Sequence, residues 1–282
     1  MTVQKDQKYS SVDDALKDWR QGDCVIGEQW FVHRLAIDTP LTKDAADASS
    51  QGIGLAEAEV CGFVVLTQTC DIVRLCIERP YVEVAPLVEV DAAELRTIER
   101  GRRPRYAFVP GLKDSNLVGD LDRVMTVEKA VVASWVRIAG CATDQEERYF
   151  AQALARKRSR FAFPDGFTAF ASKLQSRLQD KHDKQSDEGQ ALRTLREIRV
   201  RAAPSWDADP VEVMFWFIRN EDEPDFKGQS WNEFLESWLK LVPATGRFNP
   251  VNGVVMTLDD MTARDYVESD PLDVDHLSSR QA

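Results

Sequence analysis

The residues best suited to chemistry in this chain form one short polar run, Thr67-Gln68-Thr69-Cys70-Asp71. It follows the apolar residues 61–66, whose β-branched and aromatic side chains predict a buried strand that ends at this corner. A thiol next to a carboxylate is a candidate nucleophile or metal ligand, although the charge of Asp71 disfavours a thiolate at Cys70. The alternative is structural: the hydroxyls of Thr67 and Thr69 bind the backbone of an Asx-type turn, and the thiol is inert.

His33 is the one histidine in the first half of the chain, and it extends this candidate site in two ways. With Cys70 and Asp71 it forms a candidate catalytic set for an endonuclease. With Cys24 as a further ligand, the same residues are a candidate zinc site, but their spacing matches no standard finger or ribbon. A strand histidine with a structural role is the alternative, and we expect neither a resident metal nor a cofactor.

Two arginine-rich clusters stand out against an acidic background. The first comprises Arg96, Arg100, Arg102, Arg103 and Arg105, and the second comprises Arg156, Lys157, Arg158 and Arg160. Guanidinium groups bind phosphate in a bidentate manner, and the rings of Tyr106 and Phe161 are suited to stack on bases. Both clusters are therefore candidate contacts for RNA or single-stranded DNA. The alternatives are a solvated helix face that balances nearby glutamates, or a contact with the acidic C-terminal tail.

The overall composition restricts the classes of protein that fit. The chain has 282 residues, which suits two domains, and a formal net charge of -11, which disfavours general coating of nucleic acid. We find no apolar stretch long enough to span a membrane and no typical secretion signal. The five cysteines include no CxxC pair, which favours free thiols in a reducing compartment. These features predict a soluble, cytoplasmic protein with no membrane partner.

The elements that must position these residues follow from the hydrophobic periodicity. In the first half we expect helices at 11–20, 91–101 and 127–138, strands at 24–26, 30–32, 61–71, 81–90, 106–109 and 117–121, and a long mobile loop at 38–57. In the second half we expect helices at 145–161, 167–178 and 231–239, strands at 197–201, 211–218 and 253–258, and a charged connection at 179–190. From Asp259 the tail mixes acidic with apolar residues, which favours docking on a surface rather than plain disorder.

Short patterns in the first half also occur in a recognisable order. Gly22-Asp23 opens a strand, a long loop follows, and then come Val64-Val-Leu-Thr67, Ala85-Pro86 and Leu117-Val-Gly-Asp-Leu-Asp-Arg-Val-Met-Thr-Val-Glu-Lys129. In this order of elements, residues 21–138 resemble the MazF/PemK/Kid toxins. The resemblance implies an α+β protein with a β-barrel domain of the SH3-like MazF/PemK type, including an N-terminal helix, at 1–140. A mixed α+β domain with the acidic tail would then occupy 141–282.

The catalytic pattern of that family is missing from the corresponding positions. Its ribonucleases depend on an arginine just before the proline that opens the second strand, and on a threonine or serine after the third. These positions fall here at Cys61-Gly62 and near Leu87-Val88, which supply neither group. Without a cation for the transition state and a group that handles the 2′-hydroxyl proton, the family mechanism does not transfer directly.

Three hypotheses for function follow. The leading one is a bacterial toxin-like or antiviral-defence protein that binds nucleic acid or a partner through the first arginine cluster and the 67–71 corner. The second is an enzyme, a diverged ribonuclease that uses Cys70, Asp71 and His33. The third is a non-catalytic subunit that assembles with a protein encoded nearby. The resemblance also implies a homodimer, unless the second half covers that surface.

Overall fold

The chain divides into two compact units. The computed structural model describes residues 2–99, 101, 103–159, 161–182, 184–220 and 229–272, and its units comprise residues 1–159 and 160–282. The boundary lies later than the predicted position near 140 because the helix at 144–158 belongs to the first unit. Phe150 of that helix is buried in the core of the first unit, together with Leu112 and Leu121.

The first unit contains six strands and six α-helices within its described residues. The strands are β1 (Cys24–Arg34), β2 (Leu55–Val65), β3 (Tyr81–Glu89), β4 (Tyr106–Phe108), β5 (Leu117–Asp120) and β6 (Met125–Glu128). The helices are α1 (Thr2–Leu16), α2 (Lys43–Ser50), α3 (Thr69–Ile72), α4 (Ala92–Glu99), α5 (Lys129–Val132) and α6 (Asp144–Arg158), with a 3-10 turn at Pro110–Ser115.

The strands form one antiparallel sheet in the order β1-β2-β3-β5-β4, and β6 also pairs with β3. The strand β3 changes partner along its length: Tyr81 to Val84 pair with β6, and Leu87 to Glu89 pair with β5. Pro86 lies between these two sections, where its missing N–H is tolerated. Among the described residues, neither β4 nor β6 pairs with β1 to complete a ring. The α+β class is confirmed, whereas a closed SH3-like barrel is not.

Aromatic side chains fill the core under this sheet. Leu16, the last residue of α1, and Trp19, three residues after it, are buried with Phe31 and Phe63. The ring of Phe63 stacks on Trp135, with 5.8 Å between the ring centroids. Burial of large aromatic groups is the main source of stability in such a core.

Several predictions for the first half were wrong in their boundaries. The strand predicted at 61–71 is β2 (Leu55–Val65) followed by α3, and the helix predicted at 127–138 is only α5 (Lys129–Val132), directly after β6. The helix predicted at 11–20 is found at Thr2–Leu16, so Ser11 lies inside it and does not cap it. The loop predicted at 38–57 contains α2 and the first residues of β2. Local hydrogen bonding outweighs the polar composition there, because the Thr42 side chain accepts a hydrogen bond from the Ala45 N–H and caps α2.

The second unit is a smaller mixed sheet with helices. Its elements are α7 (Asp165–His182), α8 (Asp187–Thr194), β7 (Leu195–Ala203), β8 (Val211–Arg219), α9 (Trp231–Leu239), β9 (Phe248–Met256), α10 (Ala263–Val267) and β10 (Asp270–Pro271). The sheet order is β10-β7-β8-β9. The β8 and β9 strands pair in parallel, with α9 between them in the chain. The buried Trp238 of α9 lies 4.8 Å from Phe217 of β8 between ring centroids.

The start of the acidic tail docks on this second sheet. The short strand β10 pairs with β7, and Leu272 is buried in the core. The guanidinium of Arg199 lies 4.0 Å from the ring centroid of Tyr266 and donates to the carbonyl of the same residue. The tail therefore docks on its own unit up to residue 272, through Arg199 and not through either of the two predicted arginine clusters, and Val274 and His276 lie outside the described residues. None of the described helices combines the length and apolarity needed to cross a membrane.

Candidate functional site

The polar run 67–71 lies where β2 ends and turns into the short helix α3. Thr67 and Gln68 form the connection, and Thr69, Cys70 and Asp71 lie in the helical turn. The hydroxyls of Thr67 and Thr69 bind backbone groups, which is the structural role that the sequence offered as an alternative. The Thr67 hydroxyl accepts a hydrogen bond from the Glu83 N–H at 2.7 Å, and the Thr69 hydroxyl accepts one from the Gln21 N–H at 3.1 Å.

A buried lysine forms hydrogen bonds with the backbone on the other side of this corner. Lys129 of α5 is 1% exposed, and its ammonium group donates to the carbonyls of Asp71 at 2.9 Å and Arg74 at 2.6 Å. Burial lowers the pKa of the Lys129 ammonium, although the nearby charge of Asp13 opposes this effect. The amine therefore satisfies carbonyl oxygens at the end of α3, which fixes the path of residues 71–74.

The corner opens into a cleft of about 540 Å³ within the first unit. Its walls come from the 67–71 corner, the start of β3 and the last turns of α6. The polar groups that line it are Gln21, Thr67, Gln68, Asp71, Arg79, Tyr81, Glu83, Lys157 and Arg158. The cleft thus brings cations, amides and a phenol ring to one concave surface, which is the usual location of a binding site.

The cations of the cleft differ in how strongly they are already engaged. Arg158 pairs with Glu83 at 2.7 Å, and Lys157 pairs with Asp122. Arg79 is exposed, and no ion pair to it is found in the described part of the chain. Tyr81 is 58% exposed, and within that part its ring stacks on no other ring. Arg79 and Tyr81 are therefore the groups in this cleft that are available to a ligand.

The structure does not bring His33 to Cys70 and Asp71. His33 pairs with Ala56 near the beginning of β2, whereas the corner follows the end of that strand. From Ala56 to Val65 at the end of β2 the strand spans about 30 Å at roughly 3.3 Å per residue. The proposed catalytic set of these three residues is therefore not assembled, because the strand separates its members. His33 instead stacks on Phe31, with 5.7 Å between ring centroids.

The cysteines differ in their surroundings. Cys70 is exposed, and its sulfur lies 3.7 Å from the side-chain oxygen of Gln68. Burial raises the pKa of Cys24 well above its usual range, and burial with nearby acidic groups raises the pKa of Cys141 to about 12. No group of three or more His, Cys, Asp or Glu side chains placed to hold a metal occurs in the described residues.

The first arginine cluster is only partly available. Arg96 lies on α4 and Arg103 precedes β4; both are exposed, and neither has an ion pair within the described residues. Arg105 is engaged in a bidentate pair with the buried Asp120, at 3.1 and 3.0 Å. Arg100 and Arg102 lie outside the described residues.

The second cluster is largely engaged in contacts within the first unit. Arg156 donates to the carbonyl of Gly101, which ties α6 to the segment after α4. Lys157 and Arg158 make the ion pairs of the cleft described above. Arg160 lies outside the described residues. Contacts within the first unit therefore account for much of this cluster, although the partners are neither the acidic tail nor the glutamates expected from the sequence.

Sequence reasoning missed three of the residues that matter most here. Arg79 and Tyr81 flank the proline that opens β3, a pattern visible in the sequence as Arg79-Pro80-Tyr81. Asp120 has one local partner, Arg123 three residues later, but its bidentate partner Arg105 reaches it only once β4 and β5 pair.

Comparison with known proteins identifies no relative of the chain. No protein-family model, no curated protein and no solved structure matches the chain.

Proposed function

We propose that the first unit is a binding module for single-stranded nucleic acid and that the cleft beside the 67–71 corner is its binding site. The observation that carries this proposal is that Arg79 and Tyr81 both line the cleft and that neither is engaged by a partner in the described residues. An arginine fits a phosphate group, and an exposed tyrosine ring fits the face of an unpaired base. The amide of Gln68 is suited to a base edge.

The charge of the whole chain favours single strands over general coating of duplexes. At a net charge of -11 the protein repels a polyanion at long range, so local contacts have to supply the affinity. Stacking on an aromatic ring supplies affinity without relying on net charge, and it needs unpaired bases. Exposed Arg96 and Arg103 provide further phosphate contacts outside the cleft.

The toxin-like or defence-associated role remains part of this proposal. Its support is the order of elements in residues 21–138. Because the Cys70, Asp71 and His33 set is not assembled, binding without cleavage is the activity that we propose.

The test is a titration of fluorescent single-stranded RNA and DNA with the full chain, followed by anisotropy. We expect Tyr81→Ala and Arg79→Ala each to weaken binding roughly tenfold, since a stacked base or phosphate contact contributes about 1–3 kcal/mol. Tyr149→Ala and Arg148→Ala are matched controls, because both residues are exposed on α6 and do not line the cleft. Equal binding by all four variants, or no binding by the wild type at low salt, would remove the proposal.

The same samples distinguish binding from catalysis. Shortening of the oligonucleotide that is lost in Asp71→Asn or Cys70→Ala would favour the diverged ribonuclease. An intact oligonucleotide that is nevertheless retained supports the binding module.

A protein partner is a second candidate, and a specific surface favours it. Val73, Leu75 and Ile77, between α3 and β3, are 46%, 52% and 68% exposed. Exposed apolar residues grouped in this way are typical of contact surfaces. If this candidate is correct, a protein encoded nearby copurifies with the wild type and is lost with Ile77→Asp.

A further inference from the structure

An ion pair joins two walls of the cleft in the first unit. Arg158, the last residue of α6, donates from its guanidinium group to the carboxylate of Glu83 in β3 at 2.7 Å. Both side chains line the cleft. The pair is therefore a bridge across the space that the proposed function assigns to a nucleic acid strand.

The backbone is held in place on both sides of this bridge. The Glu83 N–H donates to the Thr67 hydroxyl at 2.7 Å, which fixes β3 to the corner. On the other wall, Lys157 pairs with Asp122, which ties the last turn of α6 to the segment after β5. The bridge therefore opens by movement of the Glu83 and Arg158 side chains alone.

The pair is exposed enough to exchange its partners. The side chains of Arg158 and Glu83 are 60% and 44% exposed. An exposed ion pair contributes little net free energy, because water screens the charges and two long side chains lose freedom. A phosphodiester group carries the same charge as a carboxylate and also offers two oxygens to the guanidinium fork. A phosphate of a bound strand can therefore replace Glu83 at Arg158.

The bridge lies next to the ring that is proposed to stack on a base. Tyr81 and Glu83 occupy alternate positions of β3, so their side chains share one face of the strand at a spacing of about 7 Å. Arg79 lies two residues before Tyr81 and also lines the cleft. Along the chain, Tyr81 thus has an arginine without an ion pair in the described residues on one side, and on the other side the position where Glu83 holds Arg158.

We propose that Glu83 is an internal competitor for phosphate at Arg158, so that the cleft binds a strand more weakly than its cations allow. This inference rests on the proposed function. When a phosphate takes the place of Glu83, the carboxylate is left without its partner beside a negatively charged strand, which offsets the new contact. Phosphate alone therefore gains little at Arg158, and a base stacked on Tyr81 has to supply affinity. Glu83 in this way favours single strands over other polyanions.

A second carboxylate of the cleft separates this exchange from a general effect of charge. Asp71 also lines the cleft and is 38% exposed, and its carboxylate lies 3.5 Å from the Arg74 guanidinium, which does not line the cleft. Removal of Asp71 or of Glu83 deletes one negative charge from the cleft. Of the two changes, the one at Glu83 also releases a cation that lines it. Asp71→Asn is therefore the matched control for Glu83→Gln.

The test is an anisotropy titration of fluorescent single-stranded RNA with the full chain over a range of salt concentrations. We expect Glu83→Gln to lower the dissociation constant roughly fivefold and to increase the magnitude of the salt slope by about 0.7, because Arg158 then contacts a phosphate without competition. Asp71→Asn should change the dissociation constant by less than about twofold, since no cation of the cleft is released. The double variant Glu83→Gln/Arg158→Gln should return both quantities to the wild-type range.

The possible outcomes separate this inference from the proposed function. A gain in Glu83→Gln no larger than that in Asp71→Asn, or a double variant that keeps the gain, would overturn the inference. Wild-type binding that still depends on Tyr81 would in that case leave the proposed function intact. Absence of binding by the wild type and by every variant would remove both. Thermal unfolding shows whether each variant is folded, and we expect little change because the pair is exposed.

Discussion

Asp120 is a buried carboxylate that accepts hydrogen bonds from Arg105 and Arg123, and its removal is a sharp test of the first unit. Asp120 is 0% exposed, and Arg123 approaches it at 2.8 Å. We expect Asp120→Asn to lower the free energy of unfolding by about 2–3 kcal/mol, because hydrogen bonds to a charged group are lost. Urea unfolding measures this change. Asp122→Asn is the control; its carboxylate is 45% exposed, so we expect a loss below about 1 kcal/mol.

The same carboxylate predicts a pH dependence. Burial on its own raises the pKa of Asp120, but the hydrogen bonds from Arg105 and Arg123 outweigh it, and the net pKa is lowered. Because the folded-state pKa lies below the unfolded value, this contribution is present above a pH of about 4 and is lost as the pH falls through the folded pKa. The difference in unfolding free energy between wild type and Asp120→Asn should therefore shrink in acid. A constant difference from neutral to acidic pH would contradict this account.

The buried ammonium group of Lys129 stabilises the corner that forms one wall of the cleft. We expect Lys129→Met to lower the free energy of unfolding by about 1–3 kcal/mol, since the carbonyls of Asp71 and Arg74 lose their donor. Faster hydrogen exchange confined to residues 69–79 would show that the corner has loosened. Exchange that stays unchanged there would show that the lysine does not hold it.

At the scale of elements, the close approach of β1 and β2 requires a glycine at position 62. Gly62 has a φ of +146°, and a Cβ atom at this position would lie 2.0 Å from the carbonyl oxygen of Val25. Gly27 is a matched control, because its φ is +128° and a Cβ atom there would meet nothing within 4 Å.

Gly27→Ala should therefore cost only the backbone strain, about 1–3 kcal/mol. Gly62→Ala should cost about 1–3 kcal/mol more, since the two strands must also move apart. Thermal unfolding of the two variants measures the difference. Equal losses would show that the close approach of the strands is not limiting.

The same scale shows what the sequence could predict. Strong periodicity located β1, β3, β8 and α9 to within a few residues, because each has a buried face and a defined turn or cap. The α2 helix was not predicted, because its small polar residues carry no periodicity and its stability comes from the Thr42 cap. The closed barrel expected from the order of elements is not confirmed, because closure depends on which distant strands pair and element order does not determine this.

For the candidate site, the sequence located the 67–71 corner but not its function. The polar run was visible as a break after an apolar strand, and Thr67, Gln68 and Asp71 line the cleft, whereas Thr69 and Cys70 do not. The grouping of His33 with Cys70 came from residue type alone and ignored the length of β2. Arg79 and Tyr81 were overlooked because they reach the cleft only through the pairing of β3 with β2 and β6.

At the scale of the whole molecule, the number of phosphate contacts determines how strongly binding responds to salt. Each phosphate contact with a single strand contributes about -0.7 to the slope of log K against log salt concentration. We expect Arg79→Ala to reduce the magnitude of this slope by about 0.7, whereas Tyr81→Ala weakens binding with the slope unchanged. Anisotropy titrations over a range of salt concentrations measure both. An Arg79→Ala slope equal to that of the wild type would show that Arg79 contacts no phosphate.

The most direct test of the central claim is to find where a single strand touches the protein. Ultraviolet crosslinking of the full chain to single-stranded RNA, followed by mass spectrometry of the linked peptides, identifies the contact residues. The account predicts crosslinks at Tyr81 and in the neighbouring 67–71 segment, and their loss in Tyr81→Ala. Crosslinks found only outside the cleft, for example on the second unit, would contradict it.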